Sequence, residues 1–361
     1  MTTMVRIGNL ELGAPFFQAG LAGYSDSAMR LIARRHGCPY CVTEAMLDQF
    51  LIQGGRGRQQ AELDPADHPI AGQLMGSHPQ DIAAGSQILV GLGYDCIDVN
   101  LACPVKKIRK RCRGGHLLSV PQEAIAILDA VRQAVPDAVP CTVKMRRGSD
   151  DSPEAEADFF RIFEKAIELG YAGAVVHGRS VEQKYVGRSR WSFLRDLVSR
   201  YADTPGFTIG GSGDIWAPSD IFGMISQTGV SLVSVARGCI GNPWLFTQAR
   251  ALMAQDHEAA TRPPTIQQQR QVLLEHFELS QALHGSRRAG MMMRKFGIKF
   301  SCHHPDPQPV KKAFISVASL DDWRGVLDAF YTGDGPGQAA DLEWVHTGDR
   351  RHAAAGQSRV A

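Results

Sequence analysis

The feature that most constrains the fold of this chain is a regular alternation of short strand-like runs with longer helical segments. Eight runs are predicted to form strands, because each is short and apolar and most are followed by glycine or polar residues. They span 15–19, 41–44, 70–74, 96–101, 141–145, 173–177, 207–210 and 232–236. Strands that alternate with helices in this way favour a parallel sheet covered by helices.

The segments between the strands have amphipathic helical patterns, and each of the clearest five opens with a Ser or Pro start signal. They span 25–37, 79–93, 121–135, 153–170 and 218–228. Eight such units over about 240 residues match the usual size of a (β/α)8 barrel. The predicted fold class is therefore α/β, a TIM barrel.

Beyond Trp244 the strand signal stops, and from 264 to 331 the pattern is helical. Here Leu273, Leu274, Phe277 and Leu279 are predicted to form one apolar set. The tail that follows is rich in Gly, Asp, Ala and Arg and has little to bury. We therefore predict a catalytic barrel domain over 1–250, a smaller all-α domain over 260–331 and a disordered tail over 332–361.

The composition is that of a globular protein with a sizeable core: 361 residues, 44% hydrophobic and 21% charged, with a formal net charge of +2. We expect a cytoplasmic protein, because neither a signal peptide nor an apolar run of roughly 20 residues is evident. The eight scattered cysteines are expected to be free thiols. We interpret Cys38-Pro39-Tyr40-Cys41 as structural. No metal site is predicted, since Cys302-His303-His304 lacks a second ligand pair.

The stretch from Ile97 to Lys107 ends a strand-like run in an amide, a thiol and a proline, followed by cationic side chains. From Lys106, six basic residues occur within eight positions, before Gly114-Gly115. A loop of this charge suits a polyanionic partner better than a small neutral metabolite.

The active site of a barrel enzyme lies at the C-terminal ends of its strands, so we take the candidate site residues from there. The turns after the last two strands, Gly210-Gly211-Ser212-Gly213-Asp214 and Ala236-Arg237-Gly238, are glycine-rich and enter helices, which favours phosphate binding. The first, third, fourth, fifth and sixth strands contribute Ala19-Gly20-Leu21-Ala22-Gly23, Gln73, Asn100, Cys103, Lys144, Arg146, His177 and Arg179.

Four motifs carry a resemblance to a known family. Asp98-Val99-Asn100-Leu101-Ala102-Cys103-Pro104-Val105-Lys106-Lys107, Val143-Lys144-Met145-Arg146, Val176-His177-Gly178-Arg179 and the segment from Arg237 to Trp244 resemble those of the tRNA-dihydrouridine synthases. The resemblance spans about residues 14 to 300, and the order of several motifs on successive strands makes it specific. It implies a flavin-binding barrel with a C-terminal helical domain, FMN as cofactor, NADPH as reductant, and reduction of the C5–C6 double bond of a tRNA uridine.

The resemblance also implies residue roles. Cys103 is the catalytic acid that protonates C5, while Asn100, His177 and Arg179 face the uracil; His177 is also assigned to cofactor binding. Gly20, Leu21, Ala22, Gln73 and Lys144 line the flavin, and Ser212, Gly213, Asp214, Ala236 and Arg237 hold its ribityl phosphate. Basic residues of the loop and of the helical domain are predicted to contact the tRNA backbone, and we assign Lys106, Lys107, Arg294 and Lys295 to substrate binding. The partner is tRNA, and a monomer without metal or membrane contact is expected.

The chain departs from the family pattern at Ala102, at Gly20 and at Gly211-Ser212-Gly213-Asp214, and the segment 111–116 is unfamiliar. Cys112 is the rival candidate for the acid. Three other functions remain open: a flavin barrel that reduces a small enone or pyrimidine, an RNA-binding barrel without catalysis, and an aldolase or isomerase that uses Lys144.

Overall fold

The computed structural model describes residues 4–340, except for the side chains of Arg56 and Arg109. Their contacts divide the chain into two compact units. Of the described residues, the barrel unit takes in 4–25, 38–215 and 219–236. The helical unit takes in 26–37, 216–218 and 237–340.

All eight predicted strands are present in the barrel unit, and the TIM-barrel prediction is confirmed. The strands of the unit are β1 Val5–Ile7, β2 Leu10–Leu12, β3 Phe16–Gln18, β4 Cys41–Val42, β5 Met46–Leu47, β6 Ile70–Met75, β7 Cys96–Leu101, β8 Cys141–Arg146, β9 Gly173–His177, β10 Thr208–Ser212 and β11 Leu232–Val235. In the order β4-β3-β11-β10-β9-β8-β7-β6 every neighbouring pair is parallel, and β4 pairs with β6 to close the barrel. The C-terminal ends of these strands form one rim, called the mouth below.

Two details of the sheet were not predicted. One strand is interrupted: β4 and β5 both pair with β6, Cys41 opposite Ile70 and Met46 opposite Leu74. In addition, β1 and β2 form an antiparallel hairpin. Its side chains Val5 and Leu12 join the buried cluster of the barrel core. Because that cluster includes Tyr40 and Ala172, which precede strands, the hairpin closes the barrel at the end opposite the mouth.

The helices of the barrel unit follow its strands, and Pro79, Pro121 and Pro153 open three of them at the first helical position. The Ser152 hydroxyl caps one by accepting the Ala155 N–H at 3.1 Å. The helices are α2 Asp48–Gln53, α3 Arg56–Gln59, α4 Pro79–Gly91, α5 Lys106–Arg109, α6 Pro121–Ala134, α7 Pro153–Glu168, α8 Trp191–Tyr201 and α9 Pro218–Thr228, with a 3-10 helix at Gly114–Ser119.

The helical unit contains no strand among its described residues. Its helices are α1 Ser27–Arg35, α10 Trp244–Met253, α11 His257–Thr261, α12 Ile266–His284, α13 Ser286–Phe300, α14 Pro307–Ser316 and α15 Leu320–Phe330, with 3-10 helices at Arg237–Cys239 and Ser301–His303. The predicted apolar set of α12 is partly wrong, because Leu274 is exposed while His276 is buried. Helical geometry explains this, since Leu273, His276 and Phe277 share one face.

The contact grouping differs from the sequence-based division at residue 250, because α1 and the chain from Arg237 group with the helical unit. Arg35 of α1, for example, forms an ion pair with Glu275 of α12. The domain limits 1–250 and 260–331 stay a prediction. In the first part of the predicted tail, the Gln338 N–H donates to the carbonyl of His303 at 2.8 Å; the rest, 341–361, lies outside the described residues. Across residues 4–340 no helix is long and apolar enough to cross a membrane.

Candidate active site

A chain of polar side chains leads toward the mouth, from the buried Thr142 on β8 through the buried Asp98 on β7 and Gln73 on β6 to the half-buried Asn100 on β7. The Thr142 hydroxyl donates to Asp98 Oδ1 at 2.7 Å, and Gln73 Nε2 donates to Asp98 Oδ2 at 2.8 Å. Asn100 Nδ2 in turn donates to Gln73 Oε1 at 2.7 Å. This order follows from the register, because Gln73 lies opposite Asp98 and Asp98 lies opposite Thr142. The chain fixes which way the Gln73 and Asn100 amides point.

Lys144 lies beside this chain, because it is the register partner of Asn100. Burial lowers the pKa of its ammonium to about 7; the positive charge of Arg146 acts in the same direction, and the carboxylate of Asp98 opposes both. At neutral pH the amine is therefore close to its midpoint, so it can act either as a cation or as a proton acceptor.

The loop that carries Cys103 is held by the same network. Asn100 Oδ1 accepts the backbone N–H groups of Ala102 at 3.0 Å and of Cys103 at 3.1 Å. Cys103 itself is half-buried. Burial raises the pKa of its thiol, although a hydrogen bond from the Val105 backbone and the charge of Arg146 oppose that shift. The thiol is thus protonated at neutral pH, as a general acid must be. Cys112, the rival acid, is exposed.

Arg146 has a larger structural role than the sequence indicated. Its guanidinium donates to the carbonyl of Ala102 at 3.0 Å, to Ser180 at 2.8 Å and to Lys184 at 2.7 Å. It therefore ties the residue before Cys103 to the loop after β9. The sequence does hold a signal for this role of Arg146. It lies two positions after Lys144 on the same strand, and residues two apart on a strand face the same side.

His177, Arg179 and Asp214 form a second cluster. The buried Arg179 guanidinium contacts both carboxylate oxygens of Asp214, at 2.7 and 2.9 Å, and lies 3.3 Å from His177 Nε2. Asp214 also accepts the Ser189 N–H at 2.7 Å. The positive charge of the buried Arg179 thereby balances the negative charge of the half-buried Asp214 carboxylate. Arg179 is committed to this pair, and its predicted contact with the uracil stays a prediction.

The predicted phosphate residues follow β10 and β11. Ser212 is the register partner of His177. Gly213 has φ +111° and no room for a side chain, since a Cβ there would lie 2.5 Å from Ser189 Oγ. Ala236 and Arg237 follow β11 directly, and the Arg237 guanidinium lies 4.8 Å from the centre of the Trp216 ring.

The first loop after β3 is built on Gly20. A Cβ at this position would lie 2.1 Å from the carbonyl oxygen of Thr43, so only glycine allows the close approach. The Leu21 N–H then donates to the buried Ser25 hydroxyl at 2.7 Å. Ala22 is exposed.

The predicted contacts with the tRNA backbone lie on two helices. Lys106 and Lys107 are exposed on α5 of the barrel unit, whereas Arg294 is exposed and Lys295 half-buried on α13 of the helical unit. Of the predicted site residues, the structure brings Gln73, Asn100, Cys103 and Lys144 into one cluster, through the contacts of Asn100 described above. Among residues 4–340, no group of three or more His, Cys, Asp or Glu side chains could hold a metal ion.

Comparison with solved structures finds proteins of similar fold. A structure of histamine dehydrogenase from Rhizobium sp. 4-9 matches with a TM-score of 0.54 and 15% identity over 77% of this chain. A 6-hydroxypseudooxynicotine amine oxidase from Pseudomonas geniculata N1 matches with a TM-score of 0.54 and 13% identity over 71% of this chain. This chain spans half the length of each of these proteins, and the similarity concerns the fold alone.

Sequence comparison gives the family. The dihydrouridine synthase (Dus) family matches residues 17–321. A probable tRNA-dihydrouridine synthase of Treponema pallidum (strain Nichols) is 30% identical over 90% of this chain and 95% of its own length. The tRNA-dihydrouridine synthase B of Xanthomonas axonopodis pv. citri (strain 306) is 28% identical over 92% and 98%. The chain belongs to the dihydrouridine synthase family, as its motifs implied, and is a flavin-dependent oxidoreductase.

Proposed function

We propose that this protein is a tRNA-dihydrouridine synthase that uses FMN, takes reducing equivalents from NADPH, and reduces the C5–C6 double bond of a uridine in tRNA. The observation that carries the proposal is the Cys103 thiol, which burial keeps protonated and which Asn100 fixes beside the Lys144 cluster. Membership of the family supports the substrate class.

The residues of the mouth suit a flavin. The side-chain amides of Gln73 and Asn100 have fixed orientations. Lys144, whose pKa is lowered to about 7, carries a positive charge in about half of the molecules at neutral pH. Such a donor-rich cluster matches the carbonyl and nitrogen acceptors of an isoalloxazine ring. Gly20, Leu21, Ala22, Gln73 and Lys144 would line the ring, and Ser212, Gly213, Ala236 and Arg237 would hold the phosphate. At Asp214 the contact would come from the backbone, because Arg179 already neutralises the carboxylate.

The chemistry that FMN would supply at this mouth, after reduction by NADPH, is a hydride for C6 of the uracil. As the double bond is reduced, negative charge develops toward the uracil C4 oxygen. Lys144 in its protonated form, with His177 close to the same rim, stabilises that charge. Cys103 holds the proton that C5 needs, and the hydride and this proton together saturate the bond. Asn100 orients the acid because it holds the Cys103 amide.

A uridine in folded tRNA reaches such a mouth only if it leaves its stack, so most of the RNA must be bound by shape and charge. Lys106 and Lys107 on α5 and Arg294 and Lys295 on α13 are the cations we assign to this binding. We infer a cytoplasmic monomer, in keeping with a tRNA substrate.

The test is a map of dihydrouridine in cellular tRNA with and without the gene, combined with purified protein, NADPH and unmodified tRNA transcripts. We expect a yellow protein that reduces tRNA. In the deletion strain, the cellular tRNA should lack one or more dihydrouridines. A protein that stays colourless after reconstitution with FMN yet binds tRNA would overturn the proposal in favour of a binding role. Reduction of free pyrimidines, with tRNA unmodified, would favour a small-molecule reductase.

A further inference from the structure

The segment 111–116, which overlaps the end of the basic loop, contains one arginine whose side chain is mostly buried while those of its basic neighbours are exposed. Arg113 Nη2 lies 3.6 Å from Asp48 Oδ1, and its Nε lies 3.5 Å from Ser77 Oγ. Only 11% of the Arg113 side chain is exposed, whereas Lys110 and Arg111 are exposed. Arg113 is therefore directed into the protein and does not belong to the cationic surface of the loop.

Asp48 is an unusual partner because it is completely buried. It is the first residue of α2, and its Oδ1 accepts the Gln49 N–H at 2.8 Å. Among the described residues, its Oδ2 has no hydrogen-bond partner. Gly76 makes room for this oxygen, since a Cβ at Gly76 would lie 2.2 Å from it. A carboxylate without water needs a cation nearby, and Arg113 supplies that charge.

The backbone around Arg113 is shaped to direct this side chain inward. Cys112 and Gly114, on either side of it, have φ values of +53° and +58°. A positive φ is strained for a cysteine and is maintained only where the surrounding contacts determine it. The positive φ at Cys112 therefore marks a turn whose conformation depends on its contacts, and those of Arg113 with Asp48 and Ser77 are among them.

The same turn lies against Cys103, at the start of the loop that the turn closes. The Gly115 N–H donates to the Cys103 carbonyl at 3.0 Å, and a Cβ on Gly114 would lie 2.8 Å from the Cβ of Cys103. Residues 104–113 thus leave the barrel at Cys103 and return beside it. A shift of Arg113 would be transmitted through two peptide units to the backbone that carries the thiol.

We propose that the Asp48–Arg113 ion pair is a positioning element that holds the closing turn of the Cys103 loop against the rim of the barrel, and so fixes the thiol at the mouth. The inference deepens the proposed function and rests on it for the role of Cys103. Neither residue touches substrate or cofactor in this scheme, so both act through the loop.

The test compares Arg113→Gln, Asp48→Asn and the double variant with the wild-type holoenzyme. Steady-state kinetics on tRNA are measured together with the rate at which iodoacetamide alkylates Cys103, followed by peptide mass spectrometry. Arg111→Gln is the matched control, because it removes the same charge from an exposed position of the same loop. We expect each pair variant to lower kcat about 10- to 100-fold, the loss caused by a misplacement of about 1 Å, and to raise Cys103 alkylation severalfold. Arg111→Gln should change KM for tRNA and leave the alkylation rate unchanged.

Because the two residues act as a unit, the double variant should lose no more activity than either single variant. Arg113→Lys should recover part of the kcat, since it restores the charge without the planar fork. Wild-type kcat and alkylation rate in Arg113→Gln would overturn the inference. If Asp48→Asn fails to fold, Arg113→Gln and Arg113→Lys still decide the question. If the wild-type protein does not reduce tRNA, the proposed function is overturned but the role of the ion pair is not. The alkylation rate of Cys103 still tests whether the pair positions the loop.

Discussion

The mouth of the barrel unit and the interior of the helical unit bury polar groups in opposite ways. In the polar chain that leads to the mouth, successive hydrogen bonds of 2.7 to 2.8 Å join Thr142, Asp98, Gln73 and Asn100. In the helical unit, the buried ring of His276 has no hydrogen-bond partner among the described residues, and it packs on Phe296 with ring centres 4.2 Å apart.

This difference separates two uses of polar residues. A network with every member bonded fixes orientations, which chemistry at Cys103 and Lys144 requires. A buried histidine without partners contributes packing, and the cations of α13 lie at the surface, where they can meet a polyanion. Substitutions at the mouth should therefore change turnover or disrupt a network, whereas those in the helical unit should change RNA affinity or pH-dependent stability.

The largest effect is expected at Cys103. Cys103→Ala should retain flavin and tRNA binding but lower kcat about 10²- to 10⁴-fold, because it removes the proton donor. Single-turnover conversion of uridine to dihydrouridine in tRNA measures this. Cys112→Ser, an exposed cysteine on the same loop, is the control and should keep its turnover. If Cys112→Ser loses activity while Cys103→Ala keeps it, the proton donor has been assigned to the wrong cysteine.

The sequence predicted the residues of the mouth because they occupy a fixed place, the end of a strand. Gln73, Asn100 and Lys144 could be read one strand at a time. Contacts between distant segments leave no such pattern. The pairs Asp48–Arg113 and Arg179–Asp214 join residues 65 and 35 positions apart. The sequence around either residue of a pair does not predict which residue it contacts.

The interruption between β4 and β5 also went unpredicted, and the reason is local. The run from Cys41 to Leu47 contains neither Gly nor Pro, so it carries no sequence signal for a break. The break arises from tertiary contacts, since Thr43 accepts the Gln73 N–H at 2.9 Å and its carbonyl lies against Gly20. The grouping of α1 with the helical unit likewise depends on packing and not on its helical pattern.

The second largest effect is expected at Asp98, which tests whether the mouth network acts as one unit. Asp98→Asn replaces one of two acceptor oxygens by an amide donor, so Thr142 and Gln73 can no longer both donate to this side chain. The free energy of unfolding should fall by about 1–3 kcal/mol, seen as a lower denaturant midpoint. Thr142→Val removes one donor and should cost about 1 kcal/mol. Equal stability of Asp98→Asn and wild type would show that these hydrogen bonds are not essential to the mouth.

A smaller effect is expected on the surface of α13. Arg294→Gln combined with Lys295→Gln should weaken tRNA binding at low salt and reduce the slope of log K against log salt by about 2. The kcat at saturating tRNA should stay the same, because neither residue lies at the mouth. Arg195→Gln on α8, exposed and beside Asp196, is the control. An unchanged salt slope in the double variant would remove α13 from the RNA-binding surface.

The smallest effect is expected at His276, where the contrast between the two regions is sharpest. Burial lowers the pKa of this imidazole to about 4, and the charge of Asp26 opposes that shift. The unfolded chain, with a histidine pKa near 6.5, therefore binds more protons than the folded protein between pH 4 and 6.5, and stability is lost as pH falls through this window. His276→Phe should remove up to about 1.4 kcal/mol per pH unit of that slope and leave stability at pH 7 nearly unchanged. Denaturant unfolding at pH 5 and 7 measures this, with the exposed His257→Gln as control. If the free energy of unfolding of His276→Phe depends on pH as steeply as that of wild type, His276 binds its proton equally well in the folded protein. The helical unit would then, like the mouth, satisfy its buried polar groups.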